Sequence, residues 1–151
     1  MKAVCLDCYE IFVAEAVPKN HTAWGCPRMN CIGEVVLVDE NMIPIIITLN
    51  KRGYPTRYCC SGHFWNLRWN TYIQFKGIKE FPFLPKGFKF EESNYTDDEL
   101  EPHELPISSV YKSNENALEM SFLEKQKFLF DNLRKLLLWA EQLPEREVIN
   151  G

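Results

Sequence analysis

The chain has no run approaching the roughly 18 consecutive apolar residues of a membrane-spanning helix, which excludes that mode of membrane attachment. It also has no apolar stretch before its first cysteine pair, since Met1-Lys2-Ala3-Val4 runs directly into Cys5. No secretory signal is therefore expected, and the sequence reads as a soluble cytoplasmic protein whose thiols stay reduced. The rival reading of the six cysteines, three disulfides in a secreted protein, lacks that signal. Internal repeats and low-complexity segments are missing too. Positive charge is in short supply, with 17 Lys and Arg against 21 Asp and Glu for a net charge of −4. The deficit is uneven: residues 1–90 carry a net +4 and residues 91–151 a net −8. Anion or nucleic-acid binding is thus expected of the first part and not of the second.

Aromatic residues are abundant instead, with ten Phe, six Tyr and four Trp, enough for a real core in a chain of 151 residues. Four of the cysteines fall in two close pairs, Cys5-Leu-Asp-Cys8 and Cys26-Pro-Arg-Met-Asn-Cys31. Two short loops that each present two sulfurs, joined by strand-like chain, form the pattern of a tetrahedral zinc ribbon. The second spacer is longer than the usual two residues, so the pattern is a variant, and His21 is an alternative fourth ligand. Cys5, Cys8, Cys26 and Cys31 are the expected ligands of a structural Zn2+. Four thiolates leave no open position for a substrate water, so this centre is read as scaffold and not as catalyst.

Short strands are expected at Val4, at 11–13, at 22–24 and at 34–38, which makes residues 1–38 a zinc-ribbon module. Residues 39–151 follow as a small α+β domain. Asp39-Glu40-Asn41 offers caps for a helix over the run from Met42 to Leu49, Pro44 suits its first turn, and Gly53 is the expected stop. The three consecutive isoleucines also fit a buried strand. Arg57 to Cys60 and Thr71 to Phe75 read as antiparallel neighbours, with further strands near Phe88 to Phe90 and Ile107 to Tyr111. The stretch 91–106 reads as an acidic connection. A long helix over 114–143, capped by Ser113 or Asn114 and stopped by Pro144, carries a broad apolar face that must pack on the sheet or on a second copy. The expected class is α+β: an N-terminal zinc ribbon, a small mostly antiparallel sheet and a long C-terminal helix.

The remaining chemistry lies between Arg57 and Tyr72. Ser61-Gly62 is a turn whose backbone N–H groups can meet an anion, and Arg57, His63 and Arg68 can neutralise it. Trp65, Trp69 and Tyr72 can stack on a base. The leading expectation is a binding protein for a nucleotide-like or anionic ligand, or for single-stranded nucleic acid. The bland alternative is that these aromatics finish a small core. A second class is a protein-interaction module docking through the acidic C-terminal part. The third is an enzyme using a Cys60–His63 pair, although no third orienting residue is evident.

The succession Leu49-Asn50, Gly53-Tyr54-Pro55-Thr56, Cys60-Ser61-Gly62-His63 and Tyr72-Ile73-Gln74-Phe75 behind a four-cysteine knuckle resembles small, mostly uncharacterised proteins of phages and Firmicutes. That likeness covers about residues 1–76 and brings no activity with it. A shorter stretch, Asp39 to Gly62, is similar to the tRNA wybutosine-synthesising methyltransferase family. Cys60, Ser61 and Gly62 fall on that family's Cys-Ser-Gly, with His63 in place of its Arg. This second likeness implies S-adenosylmethionine as cofactor.

Overall fold

The computed structural model describes residues 1–17, 23–62, 69–93, 106–114, 116 and 119–147. Among the described residues two four-stranded antiparallel sheets and two α-helices make up the fold, so the α+β class expected from the sequence holds. The first sheet contains β1 (Lys2–Cys5), β2 (Ile11–Val13), β3 (Ala23–Gly25) and β4 (Glu34–Val38), in the order β2-β1-β4-β3. The second contains β5 (Thr56–Cys60), β6 (Trp69–Lys76), β7 (Lys89–Ser93) and β8 (Ile107–Asn114), in the order β5-β6-β8-β7.

Helix α1 (Ile43–Lys51) follows a 3-10 turn at Glu40–Met42 and carries Pro44 in its first turn. Met42, Ile45, Ile46 and Leu49 are all buried. Their spacing of three and four residues places them on one helical face, which decides the isoleucine run for helix over strand. At its end the N–H of Tyr54 donates to the Leu49 carbonyl at 3.0 Å and that of Gly53 to the Asn50 carbonyl at 3.1 Å. These are the two bonds of a Schellman motif, and they need the left-handed backbone that Gly53 adopts at φ +87°. A side chain there would also strike the Arg146 carbonyl. The expected stop at Gly53 is thus in place.

Helix α2 is Phe122–Gln142, and it begins later than the sequence reading placed it. Ser113 and Asn114 are not caps. They are the last residues of β8, paired with Asn70 and Trp69 of β6. The cap is Ser121, whose hydroxyl accepts from the Glu124 N–H at 3.2 Å and donates to the Glu124 carboxylate at 3.2 Å. Ser121 carries the Ser-x-x-Glu sequence of a helix start, and its hydroxyl makes both bonds; Ser113 and Asn114 have no Glu or Gln three residues on. The acidic stretch is also shorter at its start, because residues 91–93 belong to β7; 94–105 and Leu118 lie outside the described residues.

One core joins the two sheets. Val4, Val36 and Val38 from the first sheet, the buried face of α1, Ile73, Phe75 and Val110 from the second, and Leu133, Leu136 and Trp139 from α2 form a single cluster. A second, smaller cluster on the other face of the first sheet gathers Ala3, Cys5, Val17 and Val35, with Phe12, Trp24 and three further cysteines at its margin.

Candidate metal centre and sheet face

The metal-site geometry starts where β1 ends. Cys5 closes that strand, and its N–H donates to the Glu10 carbonyl at 3.0 Å, while Tyr9 returns an N–H to the Cys5 carbonyl at 3.0 Å. Tyr9 holds φ +62° to make this turn. The second loop leaves β3 at Gly25. It is closed by the Cys26 N–H on the Gly33 carbonyl at 2.9 Å, with an inner turn from Arg28 to Cys31 at 3.1 Å. Asn30 occupies the left-handed position of that turn at φ +65°, where Asn is among the few side chains tolerated. The two loops face each other across the sheet end through the Leu6 N–H on the Glu34 carbonyl at 2.9 Å.

This framework gathers the four sulfurs. Cys5 Sγ lies 3.7 Å from Cys31 Sγ, Cys8 Sγ lies 3.8 Å from Cys26 Sγ, and all four are within 4.8 Å of one another. A tetrahedron of sulfurs around a metal at about 2.3 Å has edges of about 3.8 Å, whereas a disulfide requires about 2.05 Å. All six cysteines are free. The Cys8 N–H lies 3.5 Å from Cys5 Sγ and the Gly33 N–H 3.4 Å from Cys31 Sγ. The backbone N–H groups of Glu10 and Arg28 favour the thiolate forms of Cys8 and Cys26 in the same way. Backbone donors aimed at sulfur stabilise negative charge there. Gly33 is required for close approach: a Cβ on it would lie 2.6 Å from Cys5 Sγ and 2.5 Å from the Asp7 Cβ.

Without a cation these thiols differ in acidity. The Glu10 N–H draws the Cys8 thiol down to about 7. Burial, helped by the neighbouring sulfurs, pushes Cys26 up to about 12. At Cys31 the Gly33 N–H favours the thiolate, but burial and Cys5 outweigh it and the thiol is raised. A bound dication removes the conflict by compensating several thiolates together. The cluster can hold a metal ion, as its spacing in the sequence leads one to expect. No family model, curated protein or solved structure matches the chain. What the protein does must be argued from its own residues.

The second candidate region is only partly described. His63, Trp65 and Arg68 lie outside the described residues, as does His21. Trp69 is placed by its backbone, which opens β6 opposite Asn114. For Ser61 the structure corrects the expectation of an open anion turn. Its N–H and its hydroxyl both donate to Asp39 Oδ2 at 3.0 Å, and its carbonyl accepts from the Thr71 hydroxyl at 3.0 Å. An internal carboxylate already occupies the anion position, so Ser61 ties the end of β4 to the end of β5. Gly62 follows at φ +108°, the left-handed half of the map. Asp39, read as a helix cap, makes no capping bond and serves this tie instead.

Arg57 and Tyr72 stand differently. The Arg57 guanidinium lies over the Tyr58 ring at 4.8 Å. Tyr72 pairs with Cys60 on one side and with Tyr111 on the other, and Tyr111 pairs with Lys89. Cys60, Tyr72, Tyr111 and Lys89 therefore form one row across all four strands, on the face opposite to buried Ile73, Phe75 and Val110. Tyr72 and Tyr111 are half-buried, on the two central strands. Burial raises the Tyr72 phenol, and the nearby Cys60, Cys59 and Asp39 add to the shift. Cys59, on the inner side, is pushed up to about 12 chiefly by burial. No local signal in the sequence marks Tyr111, Lys89 or Tyr58 as members of this face. The strand pattern around Tyr111 is local, whereas nothing nearby announces that its cross-strand partner is Tyr72.

Proposed function

We propose that Cys5, Cys8, Cys26 and Cys31 hold one structural Zn2+ and that the chain is a binding protein which takes single-stranded nucleic acid on the outer face of its second sheet. When bound, the ion supplies cross-linking and charge compensation, and four sulfurs fill its shell. The observation that carries the binding reading is the Tyr72–Tyr111 pair at the centre of a four-stranded sheet. Paired, half-buried aromatics on the sheet face turned away from the core suit stacking of successive bases. Lys89 in the same row and Arg57 at the adjoining edge supply positive charge for the backbone. The neighbouring loop adds His63, Trp65 and Arg68 in the sequence, and Trp69 opens β6 directly after it. Gly62 helps direct the chain into that loop, while Ser61 is assigned a structural part.

Fluorescence anisotropy with labelled dT and rU ten-mers tests this reading. Binding should weaken steeply with salt. Tyr72→Ala and Tyr111→Ala should each reduce affinity on the order of tenfold or more, the effect of one lost base stack. Absence of binding at 0.1 mM protein in low salt overturns the nucleic-acid reading. Native mass spectrometry of protein purified without added metal tests the ion separately: one zinc per chain is expected, and none overturns that half.

A further inference from the structure

Strand β8 turns one cationic side chain towards the core. Ser108, Val110, Lys112 and Asn114 alternate onto the inner face of the second sheet, where Val110 is fully buried. Lys112 is half-buried there. Its Nζ donates to Asn132 Oδ1 at 3.2 Å and lies 4.7 Å from the centre of the Phe128 ring and 5.9 Å from that of Phe88. Phe128, Asp131, Asn132 and Lys135 succeed one another at spacings of three and four on α2, so one stripe of the helix meets this lysine. Asp131 is bonded to Lys135 at 2.8 Å, and no ion pair among the described residues includes Lys112. Burial, reinforced by the Lys135 charge and opposed by Asp131, draws the Lys112 ammonium below the usual lysine value. That enlarges the share of neutral amine, the nucleophilic form.

Asn132 supplies an independent observation. It is fully buried, and its Nδ2 has no partner. The lysine fixes which way the amide is turned, because an ammonium only donates and must take the oxygen. An unused donor therefore stands beside the atom that Lys112 already holds. Gly87 leaves another side of the ammonium clear: a Cβ there would stand 3.4 Å from Nζ, and the backbone at φ +84° favours glycine.

We propose that Lys112 accepts carbon dioxide and is carried as a carbamate, which Asn132 holds with both polar atoms of its amide. The lone pair of the neutral Nζ attacks the carbon of CO2. One C–N bond forms, one C–O π bond opens onto oxygen, and a proton leaves Nζ for solvent. Nothing is oxidised or reduced, and the side chain passes from cation to anion. A carbamate is planar, with its remaining N–H on the same side as one of its oxygens. That N–H donates to Asn132 Oδ1 as the ammonium does now, while the oxygen accepts from Nδ2, as two primary amides pair. An acetyl group cannot make this ring of bonds, since a trans amide has N–H and C=O on opposite sides. The carbamate thus satisfies the buried donor that the free lysine leaves unpaired, and Lys135 lies near enough to act on its charge.

The test exposes the zinc-replete full chain to isotopically labelled bicarbonate and CO2, then traps carbamates with triethyloxonium, which ethylates an oxygen and releases diethyl ether. Peptide mass spectrometry should find the labelled ethyl carbamate on Lys112 at an occupancy at least tenfold above the exposed Lys86, Lys89 and Lys127. Asn132→Asp keeps the shape and the acceptor but replaces the donor with an oxygen. It should cut Lys112 labelling at least tenfold, with circular dichroism confirming that the variant folds. Bicarbonate should also raise the melting temperature of the natural chain above that in chloride at equal pH and ionic strength, because the carbamate belongs to the folded state. Lys112→Arg keeps a donor for Asn132 but cannot be carbamylated, and should lose that rise. Lys112 labelled no more than the exposed lysines overturns the inference. So does labelling indifferent to Asn132→Asp, or a melting temperature that bicarbonate raises equally in Lys112→Arg.

Discussion

Two residues carry more of the site than their chemistry suggests. Gly33 lets the two cysteine loops close on each other, and the Cβ of an alanine would sit where Cys5 Sγ and the Asp7 side chain now are. Gly33→Ala should therefore weaken zinc binding by tenfold or more in competition with a chromogenic chelator; unchanged affinity would mean the loops have slack that the geometry denies. Asp39 is the other. Replacing it with Ala strands a backbone N–H and a hydroxyl of Ser61, which is 5 % exposed. The expected cost is about 1–3 kcal/mol, read as a shift of the urea midpoint. The sulfurs themselves can be ranked. In metal-free protein at pH 8, Cys8, drawn down to about 7, should alkylate first, with Cys26, raised to about 12, among the last. Mass spectrometry of a timed iodoacetamide reaction gives the order, and simultaneous labelling would contradict it.

Elements were legible where their signals are local. The cysteine spacing, Pro44 with Gly53 around α1, and the alternation of β6 all reside within a few residues of the feature they specify. The start of α2 misled because Ser113 and Asn114 resemble caps in isolation, while their use as strand residues depends on pairing with Asn70 and Trp69 more than forty residues away. Similarly, nothing near Ser61 in sequence reveals that Asp39 will fill its anion position. Strand β5 makes its own prediction through Cys59. An acid raised to about 12 on folding is protonated in both states below its ordinary 9.0. Above that the unfolded chain releases the proton first, so stability should fall as pH climbs from 9 towards 12. Cys59→Ala should flatten that decline in urea titrations. Inside α2, Asn132 is fully buried, accepts from Lys112 Nζ at 3.2 Å and leaves its own Nδ2 unsatisfied. Asn132→Leu alone should destabilise by taking the acceptor from Lys112. Combined with Lys112→Met it should be near neutral, because both polar partners are then gone.

At the scale of the whole molecule, the division of the sequence at residues 38 and 39 marks a change of sheet without a break in the core. Alternate residues of the same two strands serve both clusters: Cys5 and Val35 line the cysteine side, while Val4 and Val36 enter the main core beside α1 and α2. Adjacent side chains on a strand point to opposite faces, so β1 and β4 cannot be loosened on one face and kept in place on the other. The proposed zinc, bound to the folded chain and released by unfolding, then stabilises the protein as a whole and not its N-terminal part alone. Helical circular dichroism is a suitable reporter, since α1 and α2 stand outside the cysteine loops. Chelation should lower the melting temperature of that helical signal in one cooperative transition. Were the ribbon an independent module, the helices would melt unchanged after chelation, and only a probe beside the cysteines, such as Trp24, would respond. A common shift at both probes is expected, because the cysteine cluster and the helices are connected through two strands with no linker between them.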